Sequence, residues 1–399
     1  MMLKLELKRI FSKKINIFAV GLALILAVIF SGFAVTSNYY VDESGNVSTA
    51  VTATRKLTDS RRAWKGTLTE DKLAKVIEQN KSAMAQSEEE IDANYGTTLQ
   101  PIDDIRDFMI SVLTPDSEYD QNILNQMTEE NVQEFYDTYH KNMENMAEEY
   151  GKTSAQKKYL EKKYNEIKLP VEYESYSSWD TMIMYAETYA IILAIIVGFI
   201  CAGIFADDFK TKADAVFFST KYGRTKAVKT KILAGIITTV MIYCVGIILL
   251  SMICFGIMGI SGINTPYQIS QAYSIYNMSY GQYYLLTVVC GFIACLLAAA
   301  LSMLVAAKMH TISVAVCMPF CLYCLLPFIG RALSGYTELF NLIPTILTNV
   351  EASARVPLVY QVGNHVFRQI PLVMVIYTIV AIVLMPLIYR CFYRYGRNK

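Results

Sequence analysis

Cys317, Cys321 and Cys324 stand in a C-x3-C-x2-C spacing, the pattern that holds an iron–sulfur cluster in radical enzymes. Here the run is Cys-Met-Pro-Phe-Cys-Leu-Tyr-Cys inside an apolar stretch, with no barrel pattern around it. Packing is the expected role, because Cys behaves as a small apolar residue. The histidines His140, His310 and His365 are widely separated, so no His-based metal or nucleophile site is expected. The chain has no H-E-x-x-H and no G-x-x-x-x-G-K-[ST] loop, so ATP hydrolysis is not expected of it. Glu187 is the one acidic residue inside an apolar segment. Ionisable groups in lipid are costly and often functional. Two roles are open: a substrate pathway, where it meets a cationic substrate, or an edge position, solvated or paired with Arg331 or Arg368.

The most informative polar stretch runs from Gly203-Ile-Phe-Ala-Asp-Asp-Phe-Lys210 to Lys231. Phe209, Ala213, Val216 and Phe217 follow i, i+4, i+7, i+8 spacing, which makes one apolar face on a short helix over 207–222. Asp207 and Asp208 suit the positive N-terminal end of such a helix. Tyr222-Gly223 is expected to end it, because Gly tolerates a left-handed conformation. Arg224 to Lys231 then lead into the next apolar segment.

Six apolar segments position these residues: roughly 15–36, 182–206, 232–259, 283–307, 311–330 and 370–390. Each is near or above the ~20 residues a helix needs to cross ~30 Å of hydrocarbon. Six such runs have no soluble counterpart. The expected fold is therefore an all-α polytopic membrane protein with six transmembrane helices. Lys4, Lys8, Arg9, Lys13 and Lys14 precede the first segment, and Lys210, Lys212, Lys221, Arg224, Lys226, Lys229 and Lys231 join the second to the third. Lys308 lies between the fourth and fifth, and Arg390, Arg394, Arg397 and Lys399 follow the last. With six crossings all of these fall on one side, which the Lys/Arg bias names the cytoplasm, with both termini in it. The loop at 260–282 falls opposite and holds no Lys or Arg. The first segment is longer than a signal-peptide core and lacks a convincing cleavage motif, so it is expected to stay as a transmembrane helix. Residues 2–12 alternate Leu3, Leu5, Leu7, Ile10 and Phe11 with Lys4, Lys8 and Arg9, as in an amphipathic helix lying on anionic lipid.

Residues 37–180 carry 16 Lys/Arg and 28 Asp/Glu, against 20 and 7 in the rest of the chain. Such asymmetry marks two environments. This acidic segment is expected to be a helical extracellular domain, without a disulfide because it contains no Cys. An extended tether is expected over 37–56, and a capping box Thr67-Leu-Thr-Glu70 ahead of a helix bearing Leu73, Val76, Ile77, Met84 and Ile91. Thr128 is placed to cap a second helix that Gly151 ends, and a third is expected from Ser154 to Ile167. Tyr173, Tyr176 and Trp179, and then Tyr267, Tyr273, Tyr276, Tyr280, Tyr283 and Tyr284, suit interfacial belts at head-group level. Residues 331–369 are too apolar for a solvated loop, and their apolar run Leu339–Leu347, about nine residues, is too short to span, so a re-entrant segment is expected there.

The chain resembles the permease subunits of ABC-2 (type V) ATP-binding-cassette transporters. The likeness rests on Leu-Glu-Leu-Lys-Arg-Ile-Phe before the first segment and on Phe-Ala-Asp-Asp-Phe-Lys through Gly-Arg-Thr-Lys-Ala-Val-Lys-Thr-Lys. It also rests on the apolar stretch around Pro344, and it covers about 1–36 and 180–399. The resemblance implies a coupling helix after the second crossing that docks on a separate cytoplasmic ABC ATPase. Asp207, Asp208, Phe209, Val216, Phe217, Lys221, Gly223 and Arg224 would lie at or near that contact. It implies no cofactor on this chain, ATP and Mg on the partner, a second permease subunit (identical or not), lipid around the helices and no nucleic acid. A bacterial plasma membrane is the expected location. The ~140-residue insertion departs from compact polysaccharide exporters, and its acidity suits attraction of cationic peptides, as in antimicrobial-peptide export or self-protection. Two other functions fit the pattern less closely: a mechanotransmission subunit that moves its outer domain without transport, and a non-ABC receptor or scaffold.

Overall fold

A computed structural model describes residues 2–115, 120, 122–332 and 340–395. Arg397 and Lys399 fall outside them, as do the side chain of Arg331 and residues 333–339 of the expected re-entrant segment. Helix α1 (Met2–Phe11) turns at Ser12–Lys13 into α2 (Lys14–Ser37). A helical domain follows: α3 (Ala53–Ser60), α4 (Glu70–Met84), α5 (Glu88–Thr98), α6 (Asp103–Leu113), α7 (Ile123–Gln126), α8 (Glu129–Gln133), α9 (Phe135–Tyr150) and α10 (Ser154–Tyr164). The bundle continues with α11 (Ser177–Lys210), α12 (Asp214–Ser219), α13 (Val228–Met258), α14 (Tyr280–Met309), α15 (Ile312–Phe320) and α16 (Leu326–Ala332). It closes with α17 (Val350–Arg355) and α18 (Gln369–Arg394). Among the described residues the strands form three two-stranded antiparallel pairs: Tyr40–Val41 with Val47–Ser48, Gly66–Thr67 with Glu172–Tyr173, and Val359–Val362 with His365–Arg368.

Among the described residues six helices are long and apolar enough to cross a membrane: α2, α11, a helix over Gly223–Met258 that includes α13, α14, α15 with its continuation to Ile329, and α18. The protein is an all-α polytopic membrane protein. Helices α11 and α14 form the centre, with 72% and 61% of their apolar windows buried, against 17–33% for the other four. Small residues set how closely the helices approach, as membrane packing requires. The buried face of α2 reads Ala19, Ala23, Ala27, Ser31 and Ala34, and across it Tyr189 donates its hydroxyl to the Ala23 carbonyl at 2.9 Å. A methyl added at Gly246 would lie 2.7 Å from that Tyr189 oxygen. The fifth crossing contains Pro319 and a π turn at Cys321–Leu325. Pro319 frees the Ala315 carbonyl, which accepts instead from the Ser302 hydroxyl of α14 at 3.2 Å.

In the helical domain the stripes pack as expected: Leu73, Val76 and Ile77 of α4 and Phe135, Tyr139, Met143 and Met146 of α9 are buried. Boundaries differ in five places. Residue Thr67 does not cap α4; its hydroxyl meets Glu172, and the helix starts at Glu70 after Thr69. The stripe ends at Met84, and Ile91 belongs to α5, which has its own capping box at Ser87 and Glu90. The tether is a hairpin whose Asp42 carboxylate accepts from the Ser44 and Asn46 amides, followed by α3. The single helix expected from Thr128 to Gly151 is two: Thr128 caps α8, which ends at Gln133, and α9 starts at Phe135 and ends before Gly151; Thr153 caps α10, which stops at Tyr164 instead of Ile167.

The aromatic belts are corrected. Tyr173, Trp179, Tyr267, Tyr273, Tyr276, Tyr280 and Tyr283 are all under 9% exposed. They form a seam between the domain and the bundle. Tyr139 donates to the Ala272 carbonyl, Tyr164 to the Tyr273 carbonyl at 3.1 Å and Tyr273 to the Val112 carbonyl at 2.6 Å. Trp179 donates to the Ile260 carbonyl at 3.2 Å, and Tyr176 stacks on Tyr280 at 4.4 Å. The uncharged 260–279 loop is therefore part of a core. Amphipathic rings serve a buried seam as well as a lipid interface.

Candidate functional site

At the end of the bundle opposite the domain, α1, the close of α11, the 211–222 linker and the close of α18 come together. The expected 207–222 helix is split. Asp207, Asp208 and Phe209 belong to the last turn of α11, which ends at Lys210; Lys212 takes a left-handed φ of 54°, and α12 covers only Asp214–Ser219. The two aspartates thus sit at the negative end of a helix, not at a positive one. Carboxylates there need nearby cations.

Those cations come from elsewhere in the chain. Arg9 of α1 reaches Asp208 at 2.8 Å, Glu6 at 2.5 Å and the Ile204 carbonyl at 3.1 Å. Lys231 reaches Asp208 at 2.9 Å and the same Ile204 carbonyl at 2.8 Å, and Glu6 lies 3.4 Å away. Lys13 pairs with Asp207. Burial, then the charges of Arg9 and Lys231, bring the Lys13 ammonium down to about 8 against the opposing pull of Glu6 and Asp208. Three carboxylates and three cations thus join α1, α11 and α13. Lys231 is 2% exposed. The sequence signal for this network is Glu6, the lone acid of α1, three residues before Arg9.

The apolar face of the linker points inward. Phe209 packs on His310 with ring centroids 3.9 Å apart, and on Phe392 and Tyr395. Phe217 and Phe218 pack on Phe392 at 5.8 and 5.0 Å. Phe209 and Phe217 are half-buried, whereas Val216 is 69% exposed and Tyr222 45%. Arg224 donates to the carbonyls of Tyr393 and Tyr395 at 3.1 and 2.5 Å, so it satisfies the end of α18. Its guanidinium also lies 4.7 Å from the centre of the Phe218 ring. Lys221 is exposed beside Tyr222. Gly223 does not have the expected left-handed backbone. It opens a π turn, Gly223–Ala227, and is needed for space: a Cβ there would lie 1.8 Å from the Phe217 carbonyl oxygen. Of the eight residues expected at a docking contact, Val216 and Lys221 are plainly exposed, while Phe209, Phe217, Arg224 and Asp208 are engaged within the chain.

Glu187 lies at the other end of the bundle. It is 8% exposed, so a solvated edge position is ruled out. Its Oε1 accepts from the amides of Val350 and Glu351 at 2.8 and 3.0 Å and so caps α17 from a different helix. Such a cap satisfies amides that have no partner inside their own helix. Arg368 is instead placed over the Tyr276 ring at 4.9 Å. The 341–355 segment is tied down further. Tyr377 donates to the Leu342 carbonyl at 2.9 Å, Gln369 to the Asn341 carbonyl at 2.6 Å and Ser274 to the Ala354 carbonyl at 2.7 Å. Cys317 and Cys321 are exposed on the fifth crossing, not packed in the interior.

The fold and these two polar clusters define a multi-pass membrane protein whose helix ends are fastened by ion pairs on one side and by a helical domain on the other. Comparison with family models, with curated proteins and with solved structures finds no match to this chain.

Proposed function

We propose that the chain is the membrane-spanning permease subunit of an ATP-driven exporter of the ABC-2 type. The observation that carries this is the linker between α11 and α13. It presents a short helix with Val216 and Tyr222 exposed, rimmed by the exposed Lys210, Lys212, Lys221 and Lys226, in a chain with no nucleotide loop of its own. A separate ABC ATPase, carrying ATP and Mg, docks there. The end that bears α1 faces the cytoplasm, by the Lys/Arg bias, and the acidic domain lies outside a bacterial plasma membrane. Two permease subunits pair, since six helices make half a pathway.

ATP-driven closure of the ATPases pushes on α12. Two routes carry the push inward: the Phe217–Phe218–Phe392 contacts to α18, and Lys231–Asp208–Arg9 to α11 and α1. The cargo is a cationic or amphipathic peptide, drawn by the net negative domain. Replacing Val216 and Tyr222 with Asp is expected to abolish co-purification of the ATPase while the permease remains folded. Undiminished association would exclude this surface.

A second reading, a mechanotransmission subunit, is favoured by the seam. The domain is hydrogen-bonded through Tyr139, Tyr164 and Tyr273 to the loop joining α13 and α14, so helix motion passes directly into it. ATP-dependent peptide uptake by inside-out proteoliposomes separates the two readings.

A further inference from the structure

Where α6 of the helical domain meets the first turn of α11 and the end of α2, the chain shapes a polar cavity of about 310 Å³. Asp103, Asp104, Asp107 and Asp180 line it, and Arg61 is the one cation among the described residues of its lining. Hydrogen bonds tie the walls together. Arg61 reaches Asp104 at 2.7 Å and the Ser177 hydroxyl at 3.0 Å, so it bridges α6 to α11. Arg106, outside the lining, takes Asp103 at 2.8 Å. Four carboxylates thus stand against two guanidinium groups, a charge of −2 when all are ionised. Asp107 and Asp180 are exposed, so this charge is reachable from solvent.

Tyr176 lines the same cavity but is only 9% exposed, its ring stacked on Tyr280 with centroids 4.4 Å apart. Its hydroxyl has no hydrogen bond among the described residues. The carboxylates acting on that hydroxyl are Asp104 and Asp180 of the same lining. A buried hydroxyl seldom stays without a partner. On another wall Tyr39 and Tyr95 stand with ring centroids 6.4 Å apart and planes 26° from parallel.

We propose that this cavity binds one positively charged side chain, an arginine or lysine of the exported peptide. The proposal rests on the export reading above and gives the cargo's charge a place at the domain end of the bundle. The excess of carboxylate calls for a cation. Among the described residues no group of three His, Cys, Asp or Glu is placed to hold a metal ion, and tyrosine faces suit an organic cation. The volume is at the lower bound of small-molecule sites, which admits one side chain and not a folded peptide. Asp107 and Asp180 balance the incoming charge, and the Tyr176 hydroxyl accepts from its N–H. Because the walls belong to both α6 and α11, the bound side chain lies across the joint between domain and bundle.

The test uses the full-length protein in phosphatidylcholine nanodiscs, with no ATPase present. Calorimetry follows binding of a capped arginine dipeptide and of its citrulline counterpart, which keeps the shape and lacks the charge. Saturable binding of the arginine peptide alone is expected. Asp107→Asn with Asp180→Asn is expected to weaken it about tenfold. Tyr176→Phe deletes the hydroxyl and keeps the stack on Tyr280; it is expected to weaken binding about threefold. Glu129→Gln with Glu130→Gln removes the same charge from the exposed start of α8 and is expected to leave the affinity unchanged. Equal binding of the citrulline peptide overturns the proposal, as does an equal loss in the α8 variant, which would assign the attraction to the domain's overall charge. Failure of the export reading shows instead as absent ATPase association with this binding intact.

Discussion

The Lys231 ammonium at the head of α13 lies 2.9 Å from the Asp208 carboxylate in the last turn of α11. Both groups are almost wholly buried, and each is wanted by the other's helix end. Asp208 would repel the carbonyl terminus of α11 were it alone, and Lys231 also takes up the Ile204 carbonyl there. Removing one partner strands the other. Lys231→Met is expected to destabilise the protein by about 3 kcal/mol, and Lys231→Met with Asp208→Leu by clearly less. Thermal unfolding of the two variants in the same nanodiscs checks this; a double variant worse than the single one would refute the pairing.

Gly223→Ala puts a methyl against the Phe217 carbonyl, which the backbone can relieve only by shifting the linker. A loss of about 1–3 kcal/mol is expected. Gly21→Ala is the control, since nothing lies within 4 Å of its Cβ position and α2 is helical there. It is expected to be neutral or to gain up to about 1 kcal/mol.

In the helical domain, Arg61 Nη1 lies 2.7 Å from the Asp104 carboxylate, and Tyr173 donates to the same group at 2.9 Å. Burial raises the Asp104 carboxyl above its ordinary range despite both partners. Arg61→Met therefore leaves an ionised group buried with one neutral donor. It is expected to cost about 3 kcal/mol near neutral pH. The defect should shrink as the pH falls, because protonation removes the stranded charge. Chemical denaturation of the full-length variant at two pH values gives the answer.

Lys13 is expected to show a midpoint near pH 8 in amine labelling read by mass spectrometry. Its folded value lies below the ordinary 10.5, so between about 8 and 10.5 the unfolded chain holds more protons than the folded one. This group's contribution to stability therefore rises with pH across that window. A midpoint near the free-lysine value would show that Lys13 is not held beside Arg9 and Lys231.

The six crossings were legible from composition alone. Hydrocarbon accepts a helix only if some twenty consecutive side chains are apolar, and that requirement is written in one continuous stretch of sequence. The helical character of 37–180 was legible for the same reason of locality: Thr128, Gly151 and Thr153 act within a turn of where they stand. What tertiary structure decided was the partner of each polar side chain. Nothing local to Glu187 indicates that its acceptors are matched by amides 163 and 164 positions away. Nor does anything local to Lys231 separate it from the exposed lysines of its own run. The tyrosines near 270 have the composition of a head-group belt, yet they are buried because a domain from earlier in the chain covers them. Apolar periodicity reports which face avoids water; charge compensation and hydrogen bonding depend on which distant groups the folded chain brings within about 3 Å.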